Sequence, residues 1–307
     1  MILLRFERKC AIIYNGDIMK TKSEVTSMLM VALSMLIFGT IGVFRKYIPL
    51  PSGTLALARA TIGAFFLIAV VIVSRKKISF STIKSKLPLL LISGALLGLN
   101  WILLFEAYNH TTVAAATLYY YMAPVIVIFL SPVFLKEKLT ALKLVCVLLA
   151  IFGTILVSGI ITQPQVSVLG MVFGLSAAML HASVVILNKK IGEIDAFDKT
   201  IAQLIFAAVV LIPYVLISED IDVMGISITT IALLGVVGII HTGVAYLLYF
   251  GAMDELKAHT VALFSYIDPV FAIVLSAFIL SEPLSAFEIV GAVLILGSMI
   301  LSNKEKA

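Results

Sequence analysis

The sequence predicts an all-α integral membrane protein, with ten transmembrane helices arranged as two inverted five-helix repeats. Three observations lead there. Hydrophobic residues make up 62% of the 307-residue chain and charged residues 13%, with a mean hydropathy of +1.16; an average soluble domain carries roughly 25% charge. Apolar windows of about 20 residues recur along the chain, each long enough to cross a hydrocarbon core of about 30 Å. The stretch Gly98–Leu156 also returns without a gap, 145 residues later, as Gly243–Leu301, with 19 of 59 positions identical. Five helices per repeat is an odd number, so the second copy enters the bilayer from the opposite side.

The first repeat, residues 23–162, follows a tail (1–22) and holds spans at 25–46, 54–73, 87–108, 112–135 and 140–161. The first span is too long, and too poor in a small-residue cleavage site, to be a removable signal peptide, so it reads as an uncleaved anchor. The second carries Arg59, and the third carries Asn100 beside Trp101 with a Gly94–Gly98 packing stripe. The fourth contains Tyr119-Tyr120-Tyr121 shortly before Pro124, and the fifth is apolar around Cys146. Thr162-Gln163-Pro164-Gln165 is a short polar linker between the halves.

The second repeat, 163–303, has spans at 167–188, 199–217, 227–250, 258–280 and 284–302. They bring Gly170–Gly174 and His181 in the sixth, Gln203 in the seventh, His241, Thr242 and Tyr246 in the eighth, and Asp268-Pro269 in the ninth. The tenth opens on Ser285-Ala286-Phe287-Glu288, a capping box.

Charge fixes the expected orientation. With the N-terminus inside, 19 of 22 Lys and Arg fall on the cytoplasmic side, among them Arg75, Lys76, Lys77, Lys84 and Lys86 in one loop. Only Arg45 and Lys46 lie outside, and Arg59 lies within a helix. This bias places both termini in the cytoplasm of a plasma-membrane protein. The net charge of +5 therefore orients helices against anionic lipid, and no nucleic-acid partner is expected. Two cysteines on different levels make no disulfide framework, and no cluster suggests a metal or another cofactor.

Two motifs recur in both halves. Tyr121-Met122-Ala123-Pro124-Val125 matches Tyr266-Ile267-Asp268-Pro269-Val270, and Leu135-Lys136-Glu137-Lys138-Leu139 matches Leu280-Ser281-Glu282-Pro283-Leu284. With the five-plus-five arrangement and Arg59, they resemble the drug/metabolite transporter superfamily, and more narrowly bacterial exporters built from two EamA-type domains, over about 25–303. The resemblance implies alternating-access movement of small metabolites, often amino acids or related compounds and often outward. His181 stands where that family often has an aromatic residue such as Trp.

Ionisable groups inside lipid cost several kcal/mol and mark pathways. Asp268 is the sharpest case, near mid-depth beside Pro269; the proline removes a backbone donor, as Pro124 does in the matching helix. Paired interruptions in corresponding helices point to a central site. Asp268 can hold a substrate ammonium or a proton, or pair with His181 or His241 to join helices. The two histidines are candidate relay groups. Asn100, Tyr120 and Tyr246 are candidate cavity-lining side chains, whereas Tyr121 reads as packing. Arg59 reads as an anchor between helices, and Glu137 and Glu282 read as helix-boundary residues.

The predicted function is a secondary transporter that exports an amino acid, amine or related compound by alternating access, with proton exchange as a further layer. An uncoupled facilitator is the alternative. No HExxH, no paired catalytic carboxylates and no Walker loop occur, so an enzyme or an ATP-driven pump is not expected. Oligomeric state is open, and a monomer suffices.

Overall fold

The computed structural model describes residues 24–136, 139–157, 167–192, 194–220, 226–253, 256 and 264–303. These residues are helical, with no strand among them. Seven helices are long and apolar enough to cross a membrane: α1 (Glu24–Tyr47), α2 (Ser52–Val73), α3 (Leu87–His110), α4 (Val113–Phe134), α6 (Val168–Ile191), α7 (Ala196–Ser218) and α8 (Ile228–Tyr249). Three shorter apolar helices follow among the described residues, α5 (Ala141–Val157), α9 (Ile267–Ile279) and α10 (Ala286–Asn303), and a short helix, Phe80–Ser85, lies between α2 and α3.

Burial is inverted relative to a soluble bundle. Large apolar side chains such as Phe65, Leu216 and Phe278 point outward, while Arg59, Asn100, Gln203, His241 and Thr242 are buried. Water drives polar groups out; lipid leaves them only the bundle interior. The protein is therefore a multi-pass membrane protein.

Helix ends follow local chemistry. Thr112, Ser167 and Ser227 cap α4, α6 and α8 through their hydroxyls. Asp195 caps α7 from Phe197 and Asp198, so that helix starts at Ala196 rather than at the expected 199. The capping box of α10 forms in full: Ser285 N–H donates to Glu288 Oε2 at 2.7 Å, and Glu288 N–H to Ser285 Oγ at 3.2 Å.

Three helices are interrupted. In α4 the helix Val113–Tyr120 stops, turns at Tyr121-Met122, and restarts as Ala123–Phe134 with Pro124 at its second position. A proline there forfeits a hydrogen bond the first turn lacks anyway. The α9 helix begins in the same way, with Tyr266 before Ile267 and Pro269 in its first turn. In α1, Thr40 turns its hydroxyl back to the Ile37 carbonyl (2.7 Å) at a bend before Ile41–Tyr47. A fourth irregularity is the π-helical stretch Val236–Val244 inside α8, which widens the turn that carries His241 and Thr242.

Packing partners exchange between halves. α2 lies against α7, α5 against α10 and α4 against α9; α3 meets α6 and α7, while α8 meets α1 and α2; α4 meets α6, while α9 meets α1. One close crossing joins α5 and α10, where a Cβ on Gly153 would sit 2.7 Å from the Gly291 carbonyl. Gly94 faces α7 and Gly174 faces Tyr119 of α4, so both small-residue stripes serve packing within the bundle.

Candidate functional site

The interruptions of α4 and α9 meet. Tyr121, in the α4 turn, donates its phenol O–H to Asp268 Oδ2 at 2.6 Å. Asp268 occupies the first turn of α9, where the exposed N–H groups and the helix dipole favour a carboxylate. The α1 bend passes close by: a Cβ on Gly39 would come within 2.8 Å of the Asp268 carbonyl. Neither His181 nor His241 bonds Asp268; among the described residues its side-chain hydrogen-bond partner is Tyr121. Tyr121 therefore does more than pack. The sequence held a signal, because both breaks carry the repeated Tyr-x-x-Pro-Val motif.

Arg59 lies on α2, 6% exposed. Its Nε–H donates to Thr242 Oγ1 at 2.9 Å, reaching the π-helical stretch of α8. The guanidinium plane sits 4.2 Å over the Trp101 ring, in cation–π range. Arg59 interacts electrostatically with Tyr108, Tyr120, Tyr246 and Asp268, so these groups face one region. No ion pair within 4.0 Å joins Arg59 to Asp268.

Asn100 on α3 donates from Nδ2 to the Ala177 carbonyl of α6 (2.5 Å), and its Oδ1 accepts from Tyr120 at 3.4 Å. The Tyr120 ring lies 5.1 Å from His181, whose Nδ1 is buried with no hydrogen-bond partner. His241 sits elsewhere: its Nε2 is 2.6 Å from Thr40 Oγ1 and its ring stands edge-on to Phe44 at 4.7 Å. Tyr246 lies 5.5 Å from Phe38. The structure thus gathers Asp268, Arg59, Asn100, Tyr120, His181 and Tyr246 around the bundle centre, with Tyr121, Trp101 and Thr242 added. It ties His241 to Thr40 at the α1 bend, still within electrostatic reach of Arg59.

Gln203 of α7 bridges Ser93 and Asn188, each at 2.8 Å. Glu282 caps α4: its Oε2 accepts from Val113 N–H at 2.8 Å and from the Ser276 hydroxyl, with Lys46 3.5 Å from Oε1. Glu137 lies outside the described residues. Glu219 escaped sequence reading. Its carboxylate accepts from Gly53 N–H (2.8 Å), Thr54 N–H (2.7 Å) and Thr54 Oγ1 (2.7 Å), so the end of α7 caps the start of α2. At the other end of the same pair, Lys76 bonds Asp195 at 2.9 Å, and Asp198 accepts from Ser79 N–H at 3.0 Å. Burial raises the Asp195 carboxyl, but the Lys76 ammonium and the Asp198 and Phe197 N–H groups outweigh it and hold it below the usual carboxylate value.

The arrangement can hold a small molecule by hydrogen bonds and by charges of both signs against aromatic faces. Among the described residues, no group of three or more His, Cys, Asp and Glu could hold a metal.

The EamA-like transporter family matches residues 25–159 and again 168–304. YxxF, an uncharacterized transporter of Bacillus subtilis, is 29% identical over 286 residues, covering 92% of this chain and 91% of its own. Protein RarD of Salmonella typhi is 26% identical over 263 residues, covering 84% and 87%. A crystal structure of a protein superposes at a TM-score of 0.66 with 17% identity, covering 90% of this chain and 96% of that one; this likeness concerns the fold alone.

Proposed function

The chain belongs to the EamA-like transporter family, and we propose that it is a secondary transporter exporting a small, amine-bearing polar metabolite by alternating access. The observation that carries this reading is the junction of two helix interruptions, one from each repeat, at Tyr121 and Asp268. Broken helices at membrane depth are tolerated where they line a cavity, and corresponding breaks in two repeats mark the substrate site of many transporters. Tyr121 occupies Oδ2 of the carboxylate, and Oδ1 remains for a substrate ammonium. The same carboxylate is the group through which protons would couple to transport.

In this reading ten helices span the plasma membrane, with residues 23–162 and 163–303 as inverted halves and both termini in the cytoplasm. Support comes from the exchange of packing partners between halves, from α5, α9 and α10 falling at three of the ten apolar windows, and from the basic loops on one side. The partners are a small-molecule substrate, lipid and protons, and a monomer suffices.

Counterflow in liposomes holding only the purified protein tests this. Amino acids, polyamines and simple amines, first ranked by thermal stabilisation, serve as cargo. Saturable counterflow in the native protein, lost in Asp268→Asn, is expected. Counterflow at native rates in the variant would overturn the role of Asp268, and no flux of any compound would overturn transport itself. Flux insensitive to imposed pH gradients would leave a facilitator in place of a proton-coupled carrier.

A further inference from the structure

We infer that Arg59 is the carboxylate-recognition residue of the central site, so that the preferred cargo is bipolar, with its carboxylate on Arg59 and its ammonium on Asp268. This rests on the transporter reading above and narrows its substrate.

Arg59 is restrained on two sides and open on the third. Nε is committed to Thr242 (2.9 Å) and the guanidinium face to Trp101 (4.2 Å). Those two contacts fix the plane and the rotation of the group. Among the described residues Nη1 and Nη2 have no acceptor, and neither is among the buried polar atoms that are sealed without a partner. The side chain is thus 6% exposed overall, yet its terminal fork is neither paired among the described residues nor sealed. A pair of parallel N–H donors in a fixed plane is the geometry that carboxylates accept in bidentate fashion. A structural anchor would have that fork filled, as Arg45 does with the Ile48 carbonyl (2.7 Å) and Ser52 Oγ (3.3 Å).

The charge balance selects the other end of the ligand. Asp268 feels Arg59 electrostatically, yet the two make no ion pair within 4.0 Å. They come from opposite halves, α2 and α9. The site therefore holds one positive and one negative group, separated, each with unfilled hydrogen-bonding capacity. A net-neutral cargo with charged ends satisfies both. A plain amine sets a second positive charge beside Arg59, and a plain acid sets a second negative charge beside Asp268. The unpartnered His181 Nδ1 and the Tyr120 ring beside it supply a further polar atom and an aromatic wall for the part between or beyond the charged ends.

Matched sets that share one side chain test the inference by thermal stabilisation and by competition in counterflow: leucine, isoamylamine and N-acetylleucine; phenylalanine, phenethylamine and N-acetylphenylalanine. In the native protein at least one amino acid is expected to exceed both its single-ended relatives by about tenfold or more, from one charge-assisted hydrogen-bonded pair at each end. Arg59→Gln is expected to lower amino-acid affinity by about 10- to 100-fold while leaving the matched amine within about threefold. Asp268→Asn should do the reverse, sparing the N-acetyl acid. Thr242→Val keeps the fork and should weaken the amino acid less than Arg59→Gln does.

Equal affinity for an amino acid and its amine, or an equal loss of both in Arg59→Gln, would overturn the inference. If Arg59→Gln does not fold, the native ranking decides. Flux of polyamines or nucleosides without any response to the bipolar probes would sink the Arg59 assignment and leave transport standing, whereas absence of all flux would remove both.

Discussion

Glu219→Ala removes a carboxylate that ends α7 and caps α2. The native side chain accepts two backbone N–H groups and one hydroxyl, all between 2.7 and 2.8 Å. Both N–H groups belong to the first turn of α2, which has no helical partner for them. Their environment is part-buried, so water replaces the carboxylate incompletely. A charged acceptor on such donors contributes about 1.5–3 kcal/mol, and the helix dipole adds about 0.3–1 kcal/mol. A loss on the order of 3 kcal/mol follows, which lowers the apparent Tm by on the order of 5 °C for a chain of this size. Lys76→Ala is the internal control. It breaks the ion pair with Asp195, whose side chains are 37% and 42% exposed, and exposed pairs contribute at most about 1 kcal/mol. Both variants, purified in one detergent, are heated and the remaining monodisperse fraction is followed by size-exclusion chromatography. A Glu219→Ala shift no larger than that of Lys76→Ala would refute the cap and, with it, the claim that a carboxylate of the second half secures the first.

Other outcomes follow from the same geometry. Tyr121→Phe deletes the phenol donor to Asp268 while keeping the ring, and should cut transport by about 10- to 100-fold with little change in melting; unchanged flux would make that bond incidental. Gly39→Val forces a branched side chain toward the Asp268 carbonyl, where even a Cβ sits at 2.8 Å, and should reduce activity more than Gly235→Ala, whose Cβ meets nothing within 4 Å; equal effects would contradict the close approach. The Asp195 carboxyl titrates below its ordinary value of 3.8 in the folded chain. Its pairing with Lys76 is therefore fully present above the unfolded value and is lost as pH falls through the lower folded one. The small difference in melting between Lys76→Ala and the native protein should shrink at acid pH, and a gap that widened there would contradict the sign.

Much of the fold is legible in the sequence because lipid imposes a one-dimensional rule, and apolar length alone places α1 to α4 and α6 to α8 within three residues. The capping box at Ser285 and Glu288 is likewise readable, since all its atoms come from one local stretch. Tertiary accidents are not. The Thr242 hydroxyl reaches Arg59 because a π-helical turn rotates it toward α2, and no residue in Val236–Val244 announces that turn. Glu219 stands among acidic loop residues, so nothing local distinguishes a long-range cap from solvated charge. Asp268 is conspicuous in an apolar helix, but its partner was chosen by helix geometry: Tyr121 lies at the facing break, while His241 turns to Thr40 and His181 to the Tyr120 ring.

Alternating exposure of the central site is the most direct measurement. With Cys10 and Cys146 replaced, a single cysteine at His181 is treated with a membrane-impermeant maleimide in sealed right-side-out and inside-out vesicles. The expected result is labelling from both faces, slowed from both by a bipolar amino acid that the purified protein binds, and unaffected by that compound in the Asp268→Asn background. Labelling from one face only, whatever ligand is present, would contradict a chamber that opens to each side in turn.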